Sequence, residues 1–251
     1  MTSVKRLRIF AGPNGSGKST LIKLVNDLHV HLGVYVNADE IKIELDTPHF
    51  LDFNKYTVTL EIDHLKWSLL QSSFYTPTES EKLSACFSVL DNCLHIDSSV
   101  IKDNKLPSFL ADYIRSLLLN TCDKFTFETV MSHSSKLDFI RLAKSLDYRV
   151  YLYFVSLEDP IMNIARVEAR VRQGGHDVPT DKIIDRYERT MNFLLDAIKL
   201  VDKAYLFDNS STHPKLFATS QHDEISLINS DYVPGWFQKY VIDKLEVEGS
   251  R

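Results

Sequence analysis

Apolar and polar positions along the chain switch between a period of two and a period near 3.6, and each switch marks an element. Residues 6–11 (RLRIFA) are a short β-rich run, 12–17 are rich in glycine, and 18–28 (KSTLIKLVNDL) space their apolar residues as a helix does. The chain therefore opens as strand, loop and helix. Residues 33–37 (GVYVN) read as a second strand, with Asp39 at its carboxyl end and a helix running on through Leu45. Leu, Ile and Trp67 are spread helically over 54–74, and Tyr75-Thr76-Pro77 predicts a turn.

The pattern is least regular over 79–119, where helical stretches flank a β-like run at 95–102 and a turn at 104–107; residues 75–121 read as an insertion. Residues 125–128 return to a strand and 137–146 to a helix. Residues 149–157 (RVYLYFVSL) are almost continuously apolar, the mark of a strand buried on both faces of a parallel sheet. Residues 159–172 are helical, 174–179 (GGHDVP) break the pattern, 180–201 read as one long amphipathic helix, and 204–207 as another strand. A hairpin of 216–219 and 225–229 precedes a final helix from near Pro234. Strands alternating with helices at this spacing predict one domain over 1–251: a doubly wound, mostly parallel α/β sheet with helices on both faces.

Composition narrows the setting. The 251 residues are 44% hydrophobic, enough for a sizeable core, yet no uninterrupted apolar run reaches the roughly 18 residues of a membrane span. The basic start leads straight into a strand rather than a signal sequence, and the three cysteines, Cys86, Cys93 and Cys122, form no CxxC pair. A cytoplasmic protein with reduced thiols is expected. A formal net charge of −5 weighs against duplex nucleic acid as a partner.

Gly12-Pro13-Asn14-Gly15-Ser16-Gly17-Lys18-Ser19 matches G-x-x-x-x-G-K-[ST] and lies between a strand and a helix, the context that this motif requires. The glycines let backbone N–H groups turn inward around a phosphate, and the helix start adds a favourable dipole. Lys18 reaches the β- and γ-phosphates and the Ser19 hydroxyl holds Mg²⁺. ATP binding is therefore expected at Gly12, Pro13, Asn14, Gly15, Ser16, Gly17, Lys18, Ser19 and Thr20, with Mg²⁺ as cofactor.

Neither an LSGGQ-like signature nor an NKxD guanine-reading motif occurs, which disfavours transporter-type ATPases and GTPases. Asp208 ends a Walker-B-like run (AYLFD), but Asn209-Ser210 supplies no water-activating glutamate, and the aspartate reads as a strand-end turn residue. Asp39 is better placed to take a proton from a substrate hydroxyl, although Asn-Ala-Asp-Glu would equally supply a helix cap. Glu128 brings an acid to another strand end, either to bind a substrate hydroxyl or as an exposed carboxylate. Arg166 and Arg170 share a helix face and Arg172 reaches the glycine break, so 166–179 read as a lid that brings arginines over a triphosphate; the alternative is a solvated face paired with Glu168 and Asp185. His29 and His31 would alternate on a strand without enough further ligands for a metal, and Ser132-His133 read as surface residues. Trp236 is expected to anchor the C-terminal helix.

Together FAGPNGSGKST, VNADEI, FETVMS, YLYFVSLEDP, RVEARVRQGGHDVP, RYER and YLFDNS resemble the zeta-toxin family of P-loop kinases, in its chromosomal branch, from residue 9 to 210. The resemblance implies a P-loop kinase fold. It also implies ATP-dependent phosphorylation of a sugar hydroxyl, that of UDP-N-acetylglucosamine in the plasmid-borne toxins, and leaves open an antitoxin protein as partner. By motif position it implies that Lys18 and Ser19 are the nucleotide and Mg²⁺ residues, Asp39 the catalytic base, Glu128 a substrate-binding acid and Arg166 a phosphate-contacting lid arginine. The toxins' second lid arginine falls near His176, so Arg170, Arg172 or Arg186 would have to replace it. Their substrate contacts after the acid become Thr129-Val130-Met131-Ser132, with Thr129 and Ser132 as the polar substrate-facing residues, so the acceptor pocket differs. Phosphoryl transfer to a small-molecule hydroxyl is the expected function; a nucleotide-binding regulatory ATPase that acts through a protein partner is the alternative.

Overall fold

The computed structural model describes residues 4–249 except 48, 98–102, 104, 176, 223 and 230. In chain order the elements are β1 (Arg6–Ala11), α1 (Lys18–Asp27), β2 (Val34–Val36), α2 (Ala38–Asp46), β3 (Phe50–Asp52), a 3₁₀ turn (Phe53–Tyr56), α3 (Ile62–Gln71) and α4 (Pro77–Ser84). There follow β4 (Phe87–Leu90), β5 (Cys93–Ile96), α5 (Leu106–Thr121), β6 (Lys124–Thr129), α6 (Ser135–Ser145), β7 (Arg149–Ser156), α7 (Pro160–Arg172) and α8 (Thr180–Asn192). The chain ends with α9 (Leu194–Leu200), β8 (Lys203–Asp208), β9 (Lys215–Gln221), β10 (Glu224–Leu227), α10 (Gly235–Phe237), a π-helical turn (Gln238–Ile242) and α11 (Asp243–Gly249). The residues fall into two compact units, one of 1–32 with 128–251 and one of 33–127.

In the first unit the strands lie in the order β10-β9-β8-β7-β1. β1 pairs parallel with β7 (Arg6 opposite Arg149) and β7 parallel with β8 (Tyr151 opposite Lys203). β9 and β10 form the expected antiparallel hairpin, and β9 pairs antiparallel with β8. Because β1, β7 and β8 run together, their carboxyl ends at Ala11, Ser156 and Asp208 share one edge, where α/β sheets collect ligands. One face of this sheet packs Phe10, Tyr153, Val155 and Phe207 against Leu21 and Val25 of α1. Tyr153 stacks on Phe10 at 4.7 Å and on Tyr205 at 4.9 Å between ring centroids. Leu21 and Val25, four apart, give α1 its apolar stripe.

The predicted 180–201 helix is instead two, α8 and α9, broken at Phe193. The interruption is local: the Phe193 N–H still bonds the Arg189 carbonyl at 3.2 Å and the Phe193 carbonyl accepts from Ala197 N–H at 3.0 Å. α9 buries Leu194, Leu195, Ala197 and Ile198 and leaves Asp196 and Lys199 exposed, a broad apolar face beside a narrow polar one. No strand forms at His29 and His31; His29 turns the chain after α1 with φ +58°.

In the second unit β2 pairs parallel with β6, and β3-β5-β4 form a separate antiparallel sheet. β4 and β5 are joined by Asp91-Asn92, both at positive φ (50° and 62°), the two-residue connection whose twist suits a hairpin. Asn92 also fastens the 3₁₀ region, donating to Asn54 Oδ1 and Val58 O, each at 2.9 Å, and accepting from Leu60 N–H at 2.8 Å. Of the β-like 95–102 run, His95 and Ile96 belong to β5, and 98–102 lie outside the described residues, as does Asn104 of the proposed turn. Pro107 is not in a turn but in the first turn of α5, where its missing N–H costs nothing. Thr76 and Pro77 likewise start a helix: Thr76 caps α4 with Glu79 in a reciprocal capping box.

Candidate functional site

Residues 12–17 connect β1 to α1 through three glycines at positive φ, Gly12 (150°), Gly15 (74°) and Gly17 (96°). Space as well as φ demands glycine. A Cβ would stand 2.0 Å from Val155 O at Gly12, 2.7 Å from Asn163 O at Gly15 and 2.2 Å from Asn209 Nδ2 at Gly17. Lys18 begins α1 with its side chain buried, donating to the Gly12 and Pro13 carbonyls at 3.0 Å each, with Glu128 Oε1 3.8 Å from its ammonium. Ser16 is fully buried, and its hydroxyl has no hydrogen-bond partner among the described residues. Ser19 and Thr20 face solvent on the first turn of α1.

Two asparagines reach the loop from outside, and neither stands out in the sequence. Asn163 of α7 donates from Nδ2 to Asn14 O at 2.6 Å, and Asn209, just past β8, donates to Ser16 O at 2.8 Å. Both side chains are buried. Arg166, one turn after Asn163, donates from Nη2 to the carbonyls of Asn209 (2.7 Å) and Ser211 (3.3 Å), and its Nη1 lies 3.9 Å from the Cβ position at Gly17. The structure thus brings the glycine loop, Lys18, Glu128 and Arg166 together.

Arg170 and Arg172 occupy the last turn of α7, where cations oppose the helix dipole. The Arg170 stem lies against Gly175, whose Cβ position is 2.5 Å from Arg170 Cγ, and Arg172 is exposed. Asp185 of α8 pairs with Arg189, one turn further along the same helix. Val167 and Val171 pack with Val178 and Ile183, fastening the end of α7 to α8; His176 lies outside the described residues.

Glu128 and Thr129 end β6. Thr129 accepts the Met131 N–H at its hydroxyl (3.1 Å), which helps to hold Met131 at φ +60°, and Thr190 donates to Val130 O at 2.7 Å. Ser132 is half-buried beside them. His133 is exposed and accepts the Ser135 N–H at 3.2 Å, a local contact at the start of α6 rather than a nucleophile pair. Asp39 belongs to the 33–127 unit, exposed on the first turn of α2. The cap of α2 is Asn37, whose Oδ1 accepts the Asp39 N–H at 2.8 Å, so the Asp39 carboxylate is not spent as the cap.

Asp208 is almost fully buried and its two oxygens are engaged by Ser210 N–H (3.2 Å), Ser210 Oγ (2.8 Å), Tyr232 OH (2.7 Å) and Trp236 Nε1 (3.0 Å). It turns the chain after β8 and ties down the C-terminal segment. Burial, then the hydrogen bond and charge of Asp208, push the Tyr232 phenol up to about 12. Trp236 packs on Phe154, Phe217 and Phe237, which makes it the anchor of the last helices. No group of three or more His, Cys, Asp or Glu able to hold a metal occurs among the described residues, and no described helix is long and apolar enough to cross a membrane.

No protein-family model matches the chain. A stretch of 63 residues is 32% identical to an uncharacterized protein of Haemophilus influenzae, covering 25% of this chain and 45% of that one. Among solved structures, AvrRxo1-ORF1:-ORF2 with ATP is similar with a TM-score of 0.56 at 16% identity, over 95% of this chain and 64% of that one. The PezAT chromosomal toxin–antitoxin system of Streptococcus pneumoniae gives 0.51 at 11% identity, over 99% and 86%. The chain thus spans under half of the curated relative and just under two thirds of the AvrRxo1 chain. At these identities the likeness is one of fold, and the fold is the expected one: α/β, mostly parallel, of the P-loop kinase type.

Proposed function

We propose that the chain is a zeta-toxin-like kinase that transfers the γ-phosphoryl group of ATP to a hydroxyl of a small molecule. The observation that carries this reading is the glycine loop at the sheet edge with a buried lysine at the start of α1, Glu128 3.8 Å from that lysine and Arg166 beside Gly17. The loop fits a phosphate. Three glycines in the left-handed half of φ space leave no Cβ in the cradle, and the buried Ser16 hydroxyl lacks, among the described residues, a partner that a phosphate oxygen would provide. Lys18, held by carbonyls of its own loop, has only to exchange those acceptors for phosphate oxygens.

The donor set fits Mg²⁺ carried on the nucleotide: a serine hydroxyl, Ser19, at the helix start and no all-protein metal cage among the described residues. Bound there, the ion would supply positive charge against the β- and γ-phosphates. Lys18 and Arg166 stabilise negative charge on the phosphates, with Arg170 and Arg172 on the 166–179 lid segment as the further cations. Asp39 takes the proton of the acceptor hydroxyl, a role assigned from the VNADEI motif and supported by a carboxylate left unused by the α2 cap. Glu128, with Thr129 and Ser132, binds the acceptor. A nucleotide sugar such as UDP-N-acetylglucosamine is the acceptor class that the resemblance supplies. One structural neighbour holds ATP and another belongs to a toxin–antitoxin system, which supports nucleotide use and an antitoxin partner for this chain. The setting proposed is the cytoplasm.

The test is Asp39→Asn. It is expected to fold and to bind Mg·ATP as the parent does while losing about 10²- to 10⁴-fold in transfer, the usual contribution of a general base. Undiminished transfer removes Asp39 from the mechanism.

A further inference from the structure

The peptide group is planar and trans, so its C=O and N–H point in opposite directions. In the glycine loop two carbonyls are held from outside: Asn14 O by Asn163 Nδ2 at 2.6 Å and Ser16 O by Asn209 Nδ2 at 2.8 Å. Fixing those carbonyls outward turns the N–H groups of the next residues, Gly15 and Gly17, to the other side, toward the concave face of the loop. We propose that Asn163 and Asn209 are positioning residues that set these two peptides and so pre-form the phosphate cradle. This rests on the phosphate-binding reading above and adds to it the groups that shape the loop.

Three further features fit a clamp rather than incidental packing. Asn163 is fully buried and Asn209 nearly so, and a buried amide at these distances has a fixed orientation. The two come from different elements, α7 and the segment after β8, so they grip the loop from two sides. Arg166 donates to the Asn209 backbone carbonyl at 2.7 Å, which fixes the residue that fixes Ser16. Glycine alone cannot hold such a shape, because the freedom that lets it adopt positive φ also lets each peptide flip. The asparagines supply the restraint, and a pre-formed cradle binds phosphate without first ordering itself.

The experiment compares Asn163→Ala and Asn209→Ala with the full-length parent by calorimetric titration of Mg·ATP and of inorganic pyrophosphate, alongside ligand-free melting. Each variant is expected to lose about 5- to 30-fold in affinity, as for one structural hydrogen bond with its carbonyl left unpaired, and by the same factor for both ligands because the effect lies on the phosphates. The control is Asp202→Ala, which removes the acceptor of the Val150 N–H (2.7 Å) at the opposite end of β7. It should lower the melting temperature and leave both affinities unchanged. Parental affinity in either asparagine variant, or an equal loss in the control, overturns the proposal. If an asparagine variant does not fold, amide spectra of the parent decide: the Gly15 and Gly17 N–H signals move on saturation with Mg·ATP if they face the phosphates, and stationary signals overturn the clamp. A parent that binds neither ligand brings down the phosphate-binding reading and the clamp with it. A parent that binds both while the variants bind equally well removes the clamp alone.

Discussion

Replacing Gly12 by alanine should be among the most damaging single-methyl changes in the chain. The added Cβ would lie 2.0 Å from the Val155 carbonyl oxygen and 2.9 Å from Ser16 Oγ, with the backbone at φ +150°. Carbon and carbonyl oxygen rarely approach within about 3.3 Å, so the end of β7 or the loop must retreat by roughly 1.3 Å. Val155 is fully buried and its strand is hydrogen-bonded on both sides, by β1 and β8, which leaves it little room to yield. Over-packing costs about 1–3 kcal/mol and an unfavourable φ about 1–3 kcal/mol more, so about 2–6 kcal/mol is expected. Gly174→Ala separates the two costs: its φ is +86° but its Cβ would meet nothing within 4 Å, so it should lose only the conformational part, about 1–2 kcal/mol. Urea unfolding of both variants at one pH measures the difference. If Gly12→Ala is no less stable than Gly174→Ala, the close approach of the loop to β7 is wrong, and with it the placement of the phosphate cradle.

Asp208→Ala should destabilise by about 3–5 kcal/mol, because it leaves the buried Trp236 indole N–H without its acceptor and frees the Tyr232 and Ser210 hydroxyls; a loss under about 1 kcal/mol in urea unfolding would show that the carboxylate is not the anchor. Tyr232 gives a pH signature. Its phenol is raised in the folded protein to about 12, so the neutral form favours folding: that contribution is complete below the unfolded value near pH 10 and is lost as pH rises through 12. Stability measured between pH 9 and 12 should therefore fall less steeply in Tyr232→Phe than in the parent, and parallel curves would contradict the contact with Asp208.

Legible in the sequence is whatever local pattern determines. RLRIFA is β1 to the residue, GPNGSGKS is the loop and helix start, and RVYLYFVS is a buried parallel strand, because its run of apolar residues has only one economical place in an α/β sheet. The small β3-β5-β4 sheet is harder, since its strands are three or four residues long and too short to show a period. The Asp91-Asn92 pair is the available signal there, as both residues tolerate positive φ. At 180–201 the helical period is plain in the sequence, but the interruption at Phe193 carries no glycine or proline to announce it.

The asparagine clamp is illegible for a different reason. Asn163 and Asn209 bond loop residues 149 and 193 positions away, and an asparagine in mid-helix or after a strand looks like any other. Arg166 is singled out by the sequence as a lid arginine, while its bonds to the Asn209 and Ser211 carbonyls, more than 40 residues on, need the fold. Asp208 reads as a turn residue from its neighbours, and its Ser210 contacts agree, while its bonds to Tyr232 and Trp236 need the fold.

Incubating the protein with γ-labelled Mg·ATP and a metabolite extract, and following where the label goes, decides whether a phosphoryl group reaches a hydroxyl acceptor. A labelled phosphomonoester of a small hydroxyl compound is expected, formed by the parent and lost in Asp39→Asn. Release of inorganic phosphate alone, with no labelled metabolite, would contradict this and point to a nucleotide switch read by a protein partner.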